Sequence, residues 1–420
     1  CGVSKSAVQK VVMIFNEPLK HRPKSRVELH VHLDGAIRHE TIWEVMRQKG
    51  LPLPGNGSLA DLKEAVKVQE PKDLAHFLQA FGIFLPAIVG DTKVIERISY
   101  EFVEDQAKES VAYCEVRFSP HLLLPNLNPT PSDGNHVNGS VNGVKEMVVD
   151  DILDAVLKGL SHGEQQFGTK VRVILCCIRG HSEWSWEVLR LCEEYKERGV
   201  VGIDLAGDEG SSSENESFTK RDPDMAVFEA AKEKGIHRTI HAGEAGPADC
   251  VKTAVEMFGA ERIGHGYRVL EDEEIYKMCL RENIHFETCP HSSYLTGSMQ
   301  SLSSPSKRHP ILRFTEDEVS FGINTDDPTV TDTRLSDEYK LLMRWGFTEA
   351  HLTRANFQAA LHSFLPPAEK KELIDQLQEA YGFVHFTLPS TSSSTSPSGT
   401  RTSTPPPKPS VTFGTWADRS

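Results

Sequence analysis

An alternation that runs through most of the chain limits its fold more than any other feature. Runs rich in β-branched residues occur at 27–33 (VELHVHL), 111–118 (VAYCEVRF), 171–178 (VRVILCCI) and 200–205 (VVGIDL), and four more begin at 236 (IHRTIHA), 262 (RIGHG), 283 (NIHFETC) and 319 (VSFGIN). Helical patterns separate them, for instance 94–109, 186–199 and 224–235, the last two closed by glycine in the usual C-cap position. Strands joined by helical crossovers lie parallel and build either an open doubly wound sheet or a closed barrel. Eight such units favour the barrel, so the expected class is α/β, a (β/α)8 TIM barrel. Between the first two runs lie 77 residues, room for extra helices after the first strand, over one rim of the barrel. There Phe77, Leu78 and Phe81 share a helical face, which either packs on the barrel or roofs its mouth.

A barrel of this kind absorbs most of the 420 residues as one unit. We expect a single catalytic domain over 27–387, an N-terminal extension over 1–26, and a Ser/Thr/Pro-rich tail over 388–420 that has no apolar face to bury. The stretch 125–143, PNLNPTPSDGNHVNGSVNG, reads as a long surface loop. With 38% hydrophobic and 25% charged residues the chain is neither a coiled coil nor disordered throughout. A formal net charge of −14 disfavours nucleic acid as a partner. No apolar run reaches 18 residues, so no transmembrane segment is expected. The opening stretch is too interrupted for a leader, and eight irregularly spaced cysteines suit a reducing compartment. A cytoplasmic location is therefore expected, with no visible signal peptide to support a cell-surface or extracellular fraction. The sequons at Asn56, Asn138 and Asn215 then read as chance matches.

The chemistry gathers at strand ends. His30 and His32, two apart in a strand, point to one side and can enter the barrel at its catalytic end. Two facing imidazoles suit a metal, although an HxH pair also occurs without one. His241 closes the fifth run, His265 the sixth, and Asp326 and Asp327 follow the eighth. His30, His32, His241 and Asp326 would form a nitrogen and oxygen set suited to zinc, converging only if the barrel closes. Such a metal yields hydroxide from water at neutral pH. Glu244 is placed to exchange a proton with a substrate, His265 to orient or deprotonate the water, and Asp327 to hold a substrate group. Gly207 either lets a ring approach the backbone or serves a turn. Asp34 either binds a sugar hydroxyl or caps the following helix.

The segments VELHVHLDGAI, EVRFSPHLL, IDLAGDE, HAGEAG, GHGY and NTDDP, in this order, closely resemble the adenosine and AMP deaminase family of the metal-dependent amidohydrolases, from about Val27 to Phe386. The resemblance implies a barrel with one Zn2+ that hydrolyses adenosine and 2'-deoxyadenosine to inosine and 2'-deoxyinosine plus ammonia, by attack of hydroxide on C6. It implies His30, His32, His241 and Asp326 as ligands, Glu244 as proton donor to N1, and His265 as the group orienting water, with Asp326 also touching that water. It further implies Asp327 as an acceptor facing N7, the Gly207 N–H as donor to N3, Asp34 as a ribose-binding carboxylate, and Phe77, Leu78 and Phe81 as an apolar gate. A monomer with a small-molecule nucleoside substrate is expected. The 125–143 loop lacks the family's Trp-bearing stretch, so a cell-surface peptidase partner is not carried over. Two other readings are an N6-modified AMP deaminase, whose motif typically has Asn where Asp34 stands, and a non-catalytic purine-binding protein.

Overall fold

A strand covered by helices on one side and enclosed on the other must bury nearly every residue. β2 (Val111–Phe118) does so at all eight positions. The structure, a computed structural model, describes residues 18–21, 23–125, 147–209, 223–298 and 309–382. The expected tail, most of the 125–143 loop, Cys1, Asn138 and Asn215 lie outside the described residues. The remaining strands are β1 (Arg26–His32), β3 (Lys170–Ile178), β4 (Val200–Ala206), β5 (His237–Ala242), β6 (Arg262–His265), β7 (His285–Thr288) and β8 (Phe321–Ile323). They form one parallel sheet in the order β1 to β8.

The seam between β8 and β1 closes at its catalytic end. His32 N donates to Asp326 O at 2.8 Å and Asp326 N to His30 O at 3.2 Å. Below them a side chain takes over from the backbone ladder: Asn324 Oδ1 accepts from Leu29 N at 2.8 Å and His30 N at 3.1 Å. The result is the expected (β/α)8 barrel, and the open-sheet alternative is excluded.

Four helices, His39–Lys49, Leu59–Val66, Leu74–Gln79 and Phe81–Phe84, intervene after β1 before the crossover helix Thr92–Lys108. That crossover starts where the Asp91 side chain accepts from Val94 N, and it buries Ile95, Ile98 and Phe102 at helical spacing. The segment expected as one apolar helix is two short ones that break at Ala80. The 186–199 pattern is likewise shorter, an α-helix over Ser185–Glu194 followed by a 3-10 turn that ends at Gly199, φ +106°. Asp34 is not a cap, since the next helix begins at His39 behind Arg38. Cys114, Cys176, Cys177, Cys192, Cys250, Cys279 and Cys289 are buried free thiols. Among the described residues no helix is long and apolar enough to cross a membrane.

Candidate active site

Closure of the barrel brings together residues nearly 300 positions apart. His30 and His32 end β1, His241 lies in β5, His265 ends β6 and Asp326 follows β8. His30 Nε2 lies 3.0 Å and His32 Nε2 3.3 Å from Asp326 Oδ1, and the Nε2 atoms of His32 and His241 are 3.2 Å apart. His265 Nε2 lies 3.7 Å from Asp326 Oδ2 and 3.5 Å from Glu244 Oε2. Both His265 (φ +60°) and Asp326 (φ +65°) adopt the left-handed backbone that side chains other than glycine's rarely tolerate.

One ligand atom each from His30, His241, His265 and Asp326 lies within 4.8 Å of all the others. His265 is thus in this compact group, whereas His32, expected as a ligand, touches it through His241 and Asp326. The donor chemistry fits a single zinc ion. His30 Nε2 and Asp326 Oδ1 are buried without hydrogen-bond partners despite their closeness, which suits a shared cation. Burial works against a charge on His32, yet Asp327 and Asp326 pull its imidazole up to about 9, so the local field favours positive charge.

Beneath the imidazoles, the barrel interior is charged. His30 Nδ1 is 2.8 Å from Glu287 Oε2, and His241 Nδ1 is 3.0 Å from Asp204 Oδ2, which orients each ring with Nε2 toward the centre. One buried guanidinium joins the two carboxylates: Arg117 Nη1 donates to Asp204 at 3.0 Å and Nη2 to Glu287 at 2.7 Å. Arg262 Nε binds the other oxygen of Glu287 at 2.7 Å, and its Nη2 lies 2.6 Å from Glu115. Burial alone would raise both carboxyls. His241 and Arg117 hold Asp204 below the usual carboxylate range, and Arg117 and Arg262 do so for Glu287. Burial lowers His241 to about 3, so its ring is a neutral donor. Asp326 is held in turn by Ser292 Oγ, which donates to Oδ2 at 2.7 Å, and His265 Nδ1 is 3.3 Å from Ser293 Oγ.

Two glycines leave room for this arrangement. A Cβ on Gly35 would fall 1.8 Å from Asp327 Oδ1, and one on Gly264 would fall 2.9 Å from His30 Cε1. The glycine after Asp34 is therefore needed by the Asp327 carboxyl across the seam.

A cavity of about 200 Å³ opens above the imidazoles. Its lining includes the apolar Phe77, Leu78, Phe81 and Leu85 together with Asp34, Gly207, Glu244, Asp327 and the site histidines except His30. Phe77 is buried and Leu78 exposed, so the expected gate is one anchored ring beside a solvent-facing side chain, not one continuous helical face. Oxygens of Asp34, Glu244 and Asp327 are buried without partners. Burial, then Asp326, raises Glu244 to about 8, and the same causes raise Asp327 well above the usual range. Gly207 sits at φ +97° and Asp34 faces the cavity, so both lie where a ligand would bind. Among the described residues no lining side chain is a lysine or arginine.

A parallel eight-stranded barrel with imidazoles and carboxylates converging at its strand ends defines the class of metal-binding (β/α)8 barrels. The family model described as adenosine deaminase matches residues 23–380, and the chain belongs to that family. It is 44% identical over 381 residues to an adenosine deaminase of Gallus gallus, covering 90% of this chain and all of the relative. It is 45% identical over 359 residues to that of Mus musculus, covering 85% and 97%. Among solved structures, the N6-mAMP deaminase of Arabidopsis aligns with a TM-score of 0.67 and 26% identity over 86% of this chain and 99% of the other.

Sequence reasoning missed Arg117, Asp204, Glu287 and Ser292. A charge inside an otherwise apolar strand, as in VAYCEVRF, VVGIDL and NIHFETC, is the signal that could have found the first three. Ser292 has no such mark.

Proposed function

We propose that the chain is a zinc-dependent adenosine deaminase that converts adenosine and 2'-deoxyadenosine, with water, into inosine and 2'-deoxyinosine plus ammonia. One observation carries the reading: a cavity at the strand ends places a buried carboxyl that favours its protonated form, Glu244, beside a zinc-type donor set, with no lysine or arginine among the described residues of its lining. His30, His32, His241 and Asp326 would hold the metal, with His265 beside it. Zinc, when bound, makes water acidic enough to serve as nucleophile at neutral pH. His265 orients that water and takes its proton, held in place by Ser293. Glu244 delivers its proton to purine N1 as C6 becomes tetrahedral, so that no negative charge builds on the ring. His265 returns its proton to the amine, which leaves as ammonia, while the C6 hydroxyl gives its proton to Glu244 and C6 becomes a planar carbonyl carbon.

Orientation comes from the rest of the pocket. The Gly207 N–H donates to N3, and Asp34 accepts from a ribose hydroxyl. N7 of a neutral purine carries a lone pair, so Asp327 meets it as a protonated donor, not as the acceptor first expected, which agrees with its raised carboxyl. Phe77, Leu78 and Phe81 would restrict the entry of water into the cavity when substrate is bound.

An N6-modified AMP deaminase is the second reading, favoured by the Arabidopsis likeness. Among the described residues a phosphate in this pocket would meet Asp34 and no lysine or arginine, which supports the nucleoside. The reading includes a single domain over 27–387, a monomer and a cytoplasmic location, the last supported by the free buried thiols. The test is zinc stoichiometry together with turnover of adenosine, AMP and N6-methyl-AMP by the purified protein. Adenosine deamination with one zinc per chain is expected. Zinc-loaded protein that leaves adenosine unchanged, or that prefers either nucleotide, overturns the reading.

A further inference from the structure

Glu209, the last residue of the IDLAGDE segment, has no place in the chemistry above, yet it is buried and makes an unusual set of bonds. Its Oε1 accepts from Gly243 N at 2.9 Å. Its Oε2 accepts from Glu244 N at 2.9 Å and from Ala245 N and Gly246 N at 2.7 Å each. Four consecutive backbone N–H groups thus converge on one carboxylate. Gly243, at φ +70°, supplies the left-handed residue that turns successive amides to one side, the geometry of an anion-binding nest. Elsewhere such nests hold a ligand's anion; here the occupant is the chain's own side chain.

We propose that Glu209 is a positioning residue for the proton donor. The loop has no helical or sheet ladder of its own between β5 and the helix Ala248–Glu256, so the nest is what fixes the backbone from which the Glu244 side chain projects. The other side of the loop is held by Arg268, whose backbone N donates to Gly243 O at 3.1 Å and whose guanidinium binds Ala245 O. Glu209 also stands two residues after Gly207. A single side chain therefore ties the β4 turn, which faces N3, to the β5 turn, which faces N1, and sets the spacing between two contacts on one purine. The inference rests on the deaminase reading of the site.

The carboxylate is specific to this role. Glutamine offers one acceptor oxygen and turns an NH2 group toward backbone donors, and aspartate is one methylene short. The test compares wild type, Glu209→Gln, Glu209→Asp and Glu209→Ala, each loaded with zinc and given adenosine. Glu209→Gln should lose kcat by about 100-fold, the size of effect that an ångström-scale misplacement produces, with KM within about threefold and one zinc per chain retained. Glu209→Ala should regain kcat saturably with added formate, which can occupy the emptied nest, while wild type and Glu244→Gln gain nothing. If Glu209→Gln does not fold, Glu209→Asp takes its place, with a smaller loss of kcat at unchanged zinc. Retention of kcat within threefold, loss of zinc in step with activity, or no response of Glu209→Ala to formate overturns the assignment. Wild type that binds zinc without deaminating adenosine overturns the underlying reading, and this inference with it.

Discussion

In the proposed mechanism Glu244 serves as an acid only while it keeps its proton, and its burial beside Asp326 favours the protonated form near neutral pH. Replacing it with glutamine leaves the imidazole cluster whole, so Glu244→Gln should retain zinc while kcat falls about 100- to 10,000-fold. Turnover near wild type in that variant would remove Glu244 from the mechanism. Gly35 makes the complementary case, a residue with no chemistry of its own. Gly35→Ala places a Cβ on the Asp327 carboxyl, and we expect kcat/KM for adenosine to drop by about tenfold or more at unchanged zinc content. Unaltered kinetics would show that Asp327 yields without consequence. Much of the site was legible at this scale. His30, His32, His241, Asp326, Glu244 and His265 each stand at a strand end, where a barrel puts its reactive groups. Asp34 and Gly207 were ambiguous because turn, cap and ligand contact demand the same residue types.

At the scale of the strand, the interior layer under the imidazoles is ionic where a barrel core is commonly aliphatic. Asp204, Glu287, Arg117 and Arg262 keep one another charged, and two of them aim the histidines. Removing Arg117 leaves two carboxylates facing each other in the core. Arg117→Met should destabilise the protein by about 3–5 kcal/mol in denaturant unfolding and weaken zinc binding about 10- to 100-fold. A variant with unchanged midpoint and metal affinity would show the clamp to be dispensable. The pH dependence follows from the same groups. Carboxyls held below their usual range contribute stability that is fully present above pH about 4 and is lost as pH falls through their lower folded values. Unfolding free energy measured against pH should therefore decline on the acid side of about 4, less steeply in Arg117→Met. Strand positions were legible from β-branched runs to within about two residues. The helix broken at Ala80 was not, because periodicity records which side chains share a face and not where the backbone turns between them.

For the molecule as a whole, count and order of elements were the most legible quantities, since eight parallel units leave few topologies. The pairing of distant charges was the least, because nothing local in IDL or FETC names Arg117 as the partner. Metal removal tests the whole. Chelation should abolish turnover and lower Tm, and zinc should restore both, with a Tm that rises with free zinc as linkage requires. A Tm indifferent to chelation would separate the metal from the fold. The backbone bonds at His30, His32 and Asp326, which close the seam between β8 and β1, also set the donor groups of the site. The first and last strands must both have found their places before any donor set exists. For wild-type chain at full zinc loading, activity then reports completed topology in an all-or-none way: a refolding population at half its final specific activity is expected to contain half as many finished barrels, not barrels that are half finished.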